Sequence, residues 1–176
     1  MAAPLEIRPA GAQDGAACAA IYAPYVRETA ISFELEPPDA AAMQARIDAA
    51  GEHHAWFVAV RGDRALGYAY GAPLAVRAAY RWACEVSVYV NRADLQAGVG
   101  SALYCALFER LAQRGHVTAI AGLTLPNPAS RALHEKFAFT DIGVYRAVGF
   151  KHGAWHDVLY MQRDLAPRQT PPAEPR

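Results

Sequence analysis

Glu85 opens an alternating, β-branched run, Glu85-Val-Ser-Val-Tyr-Val90, and a loop of small residues follows at Ala97-Gly98-Val99-Gly100-Ser101. A carboxylate carried on a strand suits general base chemistry. A small-residue loop that opens a helix offers unpaired backbone N–H groups and the positive end of the helix dipole to an anion. Together they predict an enzyme that uses a phosphorylated carrier. The plainer readings are a strand-to-helix turn that binds nothing and a surface carboxylate, or a partner for Arg77 or Arg81, at Glu85.

The loop type narrows the carrier. No Gly-Lys-Ser/Thr follows Gly98-Val99-Gly100-Ser101, so it is not a nucleotide-hydrolysing loop. Leu103 stands where a dinucleotide fingerprint requires its third glycine. What remains is a loop whose amides can approach a pyrophosphate closely.

The elements that must position these residues follow from spacing. Leu5–Arg8 reads as a strand and 14–27 as a helix, with Ala17, Ile21 and Tyr25 on one stripe. Residues 29–36 read as irregular, and Asp39 caps a helix over Ala40–Ala50 that Gly51 stops. Trp56–Val60 and Leu66–Tyr70 form a hairpin around Arg61-Gly62-Asp63-Arg64. Ala83–Val90, a helix over Val99–Arg114 and Val117–Leu123 form a strand–helix–strand crossover, which implies a parallel pair. Asn127-Pro128 starts a helix to about Phe137. Ile142–Gly149 and Ala154–Gln162 flank a Lys151-His152-Gly153 turn. The fold class is therefore α/β, one domain over residues 1–165 with a mixed, mostly antiparallel sheet. Residues 166–176 form a proline-rich tail, expected to be disordered.

Composition bounds the function. The 176 residues carry 17 basic and 17 acidic side chains, a formal net charge of zero, which argues against nucleic acid or an acidic membrane as the main partner. No apolar run reaches spanning length and the start MAAPLEIRPA lacks a signal-peptide pattern, so a cytoplasmic location is expected. Cys18, Cys84 and Cys105 lack a C-x-x-C pair and read as buried small hydrophobes. Cys84 adjoins Glu85, but strand alternation turns it to the opposite face. His152 and His156 flank a turn, so their spacing is no metal signature, and no metal is expected.

At this point the chain resembles the GNAT N-acetyltransferase superfamily. Leu95-Gln96-Ala97-Gly98-Val99-Gly100 is similar to its Gln/Arg-x-x-Gly-x-Gly/Ala motif, departing at Leu95. Asn127-Pro-Ala-Ser130-Arg-Ala-Leu133-His134-Glu135-Lys136 is similar to its N-x-x-S-x-x-L-[YH]-E-K segment, and Ala138 replaces a later glycine. Arg77-Ala-Ala-Tyr80-Arg81-Trp82 and Lys151-His152-Gly-Ala-Trp155-His156-Asp157 resemble the phosphinothricin and methionine sulfoximine acetyltransferase branch. The likeness spans about residues 5–165. Some relatives carry a further basic residue where Ala75 stands.

The resemblance implies acetyl-CoA as the acyl donor. Val88 and Val90 would bind the pantetheine arm through backbone groups, and Gln96, Ala97, Gly98, Val99, Gly100 and Ser101 the pyrophosphate. Asn127, with Ser130 in the same segment, would contact the CoA arm. Transfer to an amine then needs a base, assigned to Glu85 directly or through water, and donors for the oxyanion, assigned to the N–H groups of Tyr89 and Val90. The latter requires a strand edge left unpaired by a bulge. His134 stands where many relatives have a tyrosine, and as an imidazolium it would protonate the leaving thiolate; a helix-surface histidine is the other reading.

For a small amino-acid analogue, Arg77 could hold a carboxylate, with Phe33, Glu34, Tyr80, Trp155 and His156 lining the pocket. Rival functions are acetylation of a protein N-terminus or a polyamine, and a non-catalytic CoA-binding module. The resemblance also implies a homodimer, with the apolar C-terminal strands as its interface.

Overall fold

Alternating apolar residues build a seven-stranded sheet, and helical stripes cover both of its faces. The computed structural model describes residues 3–95 and 98–176. In chain order the elements are β1 (Glu6–Pro9), α1 (Gly15–Glu28), α2 (Ala40–His53), β2 (Ala55–Arg61), β3 (Arg64–Pro73), β4 (Ala83–Val90), α3 (Val99–Gln113), β5 (Thr118–Thr124), α4 (Pro128–Lys136), β6 (Thr140–Lys151) and β7 (Ala154–Asp164). The sheet order is β1-β2-β3-β4-β5-β7-β6. Every neighbouring pair is antiparallel except β4–β5, joined by the α3 crossover. This is the expected α/β architecture.

Two apolar layers sandwich the sheet. On one face α3 buries Leu103, Leu107 and Leu111 against Ala69, Val86, Ala121 and Leu159. On the other, α1 and α2 bury Cys18, Val26, Met43 and Ile47 against Trp56, Val58 and Tyr68. At about 25 cal/mol per Å² of apolar surface removed from water, these layers supply the main driving force for folding. No helix among the described residues is long and apolar enough to cross a membrane.

Several boundaries differ from expectation for local reasons. Gly51 does not stop α2, which continues to His53 while His54 N–H still bonds the Ala50 carbonyl. Glycine permits a helix end without compelling one. Cys105 is exposed on the outer face of α3, whereas Cys18 and Cys84 are buried as expected. The tail 166–176 has no helix or strand; along it Trp82 Nε1 donates to the Ala173 carbonyl at 2.7 Å and Arg81 pairs with Glu174.

Asn127 caps α4, its side chain accepting from Ser130 N–H at 3.1 Å. At the other end Ala138 takes φ +60°, the left-handed position that ends many helices and that glycine fills without a Cβ penalty. Ala138→Gly is therefore expected to raise unfolding stability by about 0.5–1 kcal/mol, read as a higher denaturant midpoint at unchanged slope; an unchanged midpoint would remove the strain assigned there.

Candidate active site

The parallel pairing of β4 and β5 is short. Ala83, Cys84 and Glu85 align with Thr118, Ala119 and Ile120, and beyond them no pairing joins the strands although both continue. β4 stays paired with β3 up to Val90 without a register shift. The unpaired edge thus comes from divergence of β5, not from the bulge expected from sequence.

Alternation decides which groups face that edge. Asn91 N–H donates to the Leu66 carbonyl on β3. In an antiparallel pair the next such residue back is Tyr89, opposite Tyr68, so the Tyr89 N–H also turns to β3. Val88 and Val90 turn toward the gap instead. Of the two N–H groups expected there, that of Tyr89 thus does not face the gap; the N–H groups that do are those of Val88 and Val90. The Val90 carbonyl is held by Tyr25 Oη at 2.6 Å.

The start of α3 closes one end of the gap. Gly98 takes φ +77° just before the helix, and a Cβ there would meet nothing within 4 Å. A Cβ on Gly100 would lie 3.4 Å from Leu133 and 3.7 Å from Val90. Gly100, β4 and α4 therefore converge where the cofactor was expected, with Val99 buried beneath. Lys136 Nζ donates to Ser101 Oγ at 2.9 Å, which adds a cation beside the α3 N-terminus. Gln96 and Ala97 lie outside the described residues. An open strand edge leading to a glycine-lined helix start fits a pantetheine arm ending in a pyrophosphate.

Glu85 is half-buried on the sheet face opposite Cys84. Among the described residues it has no hydrogen-bond or ion-pair partner, since Arg81 is taken by Glu174 and Arg77 pairs with no carboxylate. Burial alone raises its carboxyl above the usual range. Tyr70 and Tyr160 share the sheet face of Glu85 by register; burial raises both phenols, and the Glu85 charge adds to each. Glu34 is the opposite case. Arg46 grips both its oxygens at 2.7 and 3.0 Å, Tyr22 Oη adds a bond at 3.0 Å, and its carboxyl is held low, chiefly by Arg46. Of the two carboxylates, Glu34 is tied up by Arg46 and Tyr22, and Glu85 has no such partner among the described residues. Burial pushes the Cys84 thiol up to about 12, which leaves it inert as a nucleophile.

His134 does not behave as expected. It is buried, its Nδ1 lies 2.7 Å from the Ser130 carbonyl and its Nε2 lies 2.9 Å from Tyr104 Oη. Burial lowers its pKa, so the ring is neutral near pH 7, neither a surface histidine nor an imidazolium acid. Ser130 serves this contact, and Asn127 Oδ1 serves the helix cap.

The expected pocket residues divide. Phe33 lies against Gly149 and 6.2 Å from the His156 ring, with Glu34 next in the same loop. His156 shares its face with Tyr160 and Glu85 by alternation along β7. Trp155 therefore faces the other way, 65% exposed and packed on Phe150, and is not brought to the pocket. A cavity of about 350 Å³ opens beside Tyr70 and Ala72, the register partners of Ser87 and Glu85, with Tyr22, Arg46, Trp56 and Tyr68 among the residues of its wall. Arg77 and Tyr80 line a neighbouring cavity of about 360 Å³ with His116 and Arg81. The two adjoin at His53, His54 and Pro73. Sequence reasoning missed Tyr22, Arg46, Tyr70, Tyr160 and Lys136. The alternation of Tyr68 and Tyr70 on β3 was the available signal for Tyr70.

A split parallel pair, a glycine-lined helix start and an unpaired carboxylate form one arrangement, and residues 7–160 match the model of the acetyltransferase (GNAT) domain. The chain belongs to the GNAT family. As a GNAT acyltransferase it is 37% identical over 162 residues to a phosphinothricin N-acetyltransferase from Streptomyces viridochromogenes, covering 92% of this chain and 88% of the relative. It is 34% identical to an L-methionine sulfoximine/L-methionine sulfone acetyltransferase from Pseudomonas paraeruginosa, over 94% and 98% of the two chains. A GNAT superfamily phosphinothricin acetyltransferase from Sinorhizobium meliloti, solved in complex with acetyl-CoA, superposes with a TM-score of 0.90 at 32% identity, over 98% of this chain and 93% of that one. GNAT acetyltransferases use acetyl-CoA, and the gap between β4 and β5 is where this chain's residues fit it.

Proposed function

We propose that this GNAT enzyme transfers the acetyl group of acetyl-CoA to the α-amine of a small amino-acid analogue of the phosphinothricin or methionine sulfoximine type. The observation that carries this reading is Glu85: a half-buried, unpaired carboxylate with a raised pKa, between aromatic walls and beside an open strand edge. Glu85 accepts a proton from the ammonium, directly or through one water, and the neutral amine attacks the thioester carbonyl. Val88 and Val90 N–H groups stabilise the oxyanion. The leaving thiolate takes up, directly or through water, the second proton that the nitrogen sheds as the amide forms, so no imidazolium is required at His134. Phe33, Tyr70 and His156 bound the acceptor, and Arg77 reaches its carboxylate across the shared mouth of the two cavities. The relatives' printed substrates support the acceptor class.

The enzyme acts as a homodimer. β6 is one of the two edge strands of the sheet and leaves Ile142, Tyr145, Val148 and Phe150 more than half exposed. Such an edge invites pairing with a second copy. Acetyl-CoA turnover on phosphinothricin, methionine sulfoximine and methionine sulfone, beside spermidine and an N-terminal peptide, tests the acceptor. The analogues should give the highest kcat/KM; preference for the polyamine or peptide overturns the class, and CoA binding without turnover on any amine overturns the activity. Sedimentation of the same sample as a monomer at micromolar concentration overturns the dimer.

A further inference from the structure

Lys151 is a cation where the fold has little tolerance for one. Its side chain runs inward from the end of β6 and the residue is only 5% exposed. No carboxylate pairs with it among the described residues; its Nζ donates to two backbone carbonyls, Val26 at 2.6 Å and Ser32 at 2.7 Å. Burying an ammonium without full compensation is costly, so the bonds it makes must matter to the fold or to the site.

Both acceptors belong to the segment that carries Phe33. Val26 lies in the last turn of α1, whose carbonyls have no partner within the helix, and the cation also meets the negative end of that helix dipole. Ser32 lies in the irregular stretch beyond, and its hydroxyl bonds Tyr22 Oη at 2.6 Å and receives the Glu34 N–H at 3.1 Å. One ammonium therefore ties the exit of α1, the loop and the β6–β7 hairpin together. On the same hairpin Gly149 leaves the room that the Phe33 ring fills, since a Cβ there would lie 2.2 Å from Phe33 Cε2.

We propose that Lys151 is a positioning residue for the acceptor: it clamps residues 26–34 onto the β6–β7 hairpin and so sets Phe33 as a wall of the amine pocket. This rests on the assignment of that face to the acceptor. Lysine suits the task because its ammonium donates in several directions from a flexible stem, which methionine of similar shape cannot do.

The test is steady-state kinetics joined to hydrogen exchange on the full chain. Lys151→Met should raise the KM for the amine by about tenfold or more, with the acetyl-CoA KM within about twofold of wild type. Without ligand, amides of the 29–34 loop should exchange at least about tenfold faster while β4 and α3 are unchanged. Lys151→Arg, which keeps the charge and donors, should recover part of both effects. Gly149→Ala displaces the Phe33 ring from the other side and should raise the amine KM with the charge intact, so the idea stays testable if Lys151→Met folds poorly. Phe33→Ala combined with Lys151→Met should raise the amine KM less than the product of the single effects.

Unchanged loop exchange in Lys151→Met overturns the clamp. Faster exchange with an unchanged amine KM, or equal rises in both KM values, overturns its role at the acceptor. If wild type prefers an amine outside the analogue class, the substrate reading fails separately, and the KM split is read on the preferred amine.

Discussion

Glu85→Gln should lower kcat/KM for the amine about 10²- to 10⁴-fold near pH 7, the range typical of losing a general base. The glutamine keeps the shape of the side chain and removes only its capacity to take a proton. Because Glu85 makes no ion pair or side-chain hydrogen bond among the described residues, the substitution breaks no such contact there. The thermal midpoint should stay put or rise, since replacing a half-buried carboxylate by a neutral amide removes a desolvation penalty. The acetyl-CoA KM should be preserved, because the proposed cofactor groove lies along Val88–Val90 and the start of α3. Stopped turnover together with collapsed stability would instead assign Glu85 a structural role. Glu34→Gln is the natural contrast: it breaks the Arg46 pair and is expected to move the amine KM more than the pH profile.

Val90→Pro should reduce kcat about 10²- to 10³-fold, as the loss of one oxyanion donor does elsewhere. Proline removes a single backbone N–H, and at this position that N–H faces the gap and not β3. The ladder bonds of Tyr89 and Asn91 to β3 remain, so the sheet loses no register bond. Val90→Ala retains the N–H and should keep activity within about threefold, which separates the amide from the side chain. Full activity in a folded Val90→Pro protein would move the oxyanion donor to Val88 or to bound water.

Much of this site was legible because it depends on short-range rules. The carboxylate on β4, the Asn127 cap, the turn at Gly98 and the single parallel crossover all follow from alternation, capping and spacing. The divergence of β4 from β5 is a property of two segments about thirty residues apart, so no local pattern announces it. Burial of His134 depends on Tyr104 arriving from another helix, which a reading of α4 alone cannot supply. Trp155 is a different case, since it was placed beside His156 in one pocket although neighbours on a strand must face opposite ways. The rule that separated Cys84 from Glu85 already forbade it.

The Lys151–Asp157 segment shows how a specific motif can be structural in most of its parts. His152 and Gly153 both take positive φ and make the two-residue turn. Asp157 receives the Ala147 N–H at 2.8 Å and Arg146 at 2.7 Å, which holds the irregular stretch of β6, and its carboxyl is lowered chiefly by that backbone bond. His156 shares the sheet face of Glu85, Lys151 holds the loop that carries Phe33, and His152 Nε2 lies 3.3 Å from the Thr29 carbonyl of the same loop.

The pH dependence of kcat/KM for the amine, measured in wild type and Glu85→Gln, bears most directly on base catalysis. Burial raises the Glu85 pKa, so wild type should gain activity with rising pH through a midpoint above the usual carboxylate range. That limb should be absent in Glu85→Gln, whose residual rate should climb only as the free amine does. A limb of the same midpoint in Glu85→Gln would show that another group takes the proton.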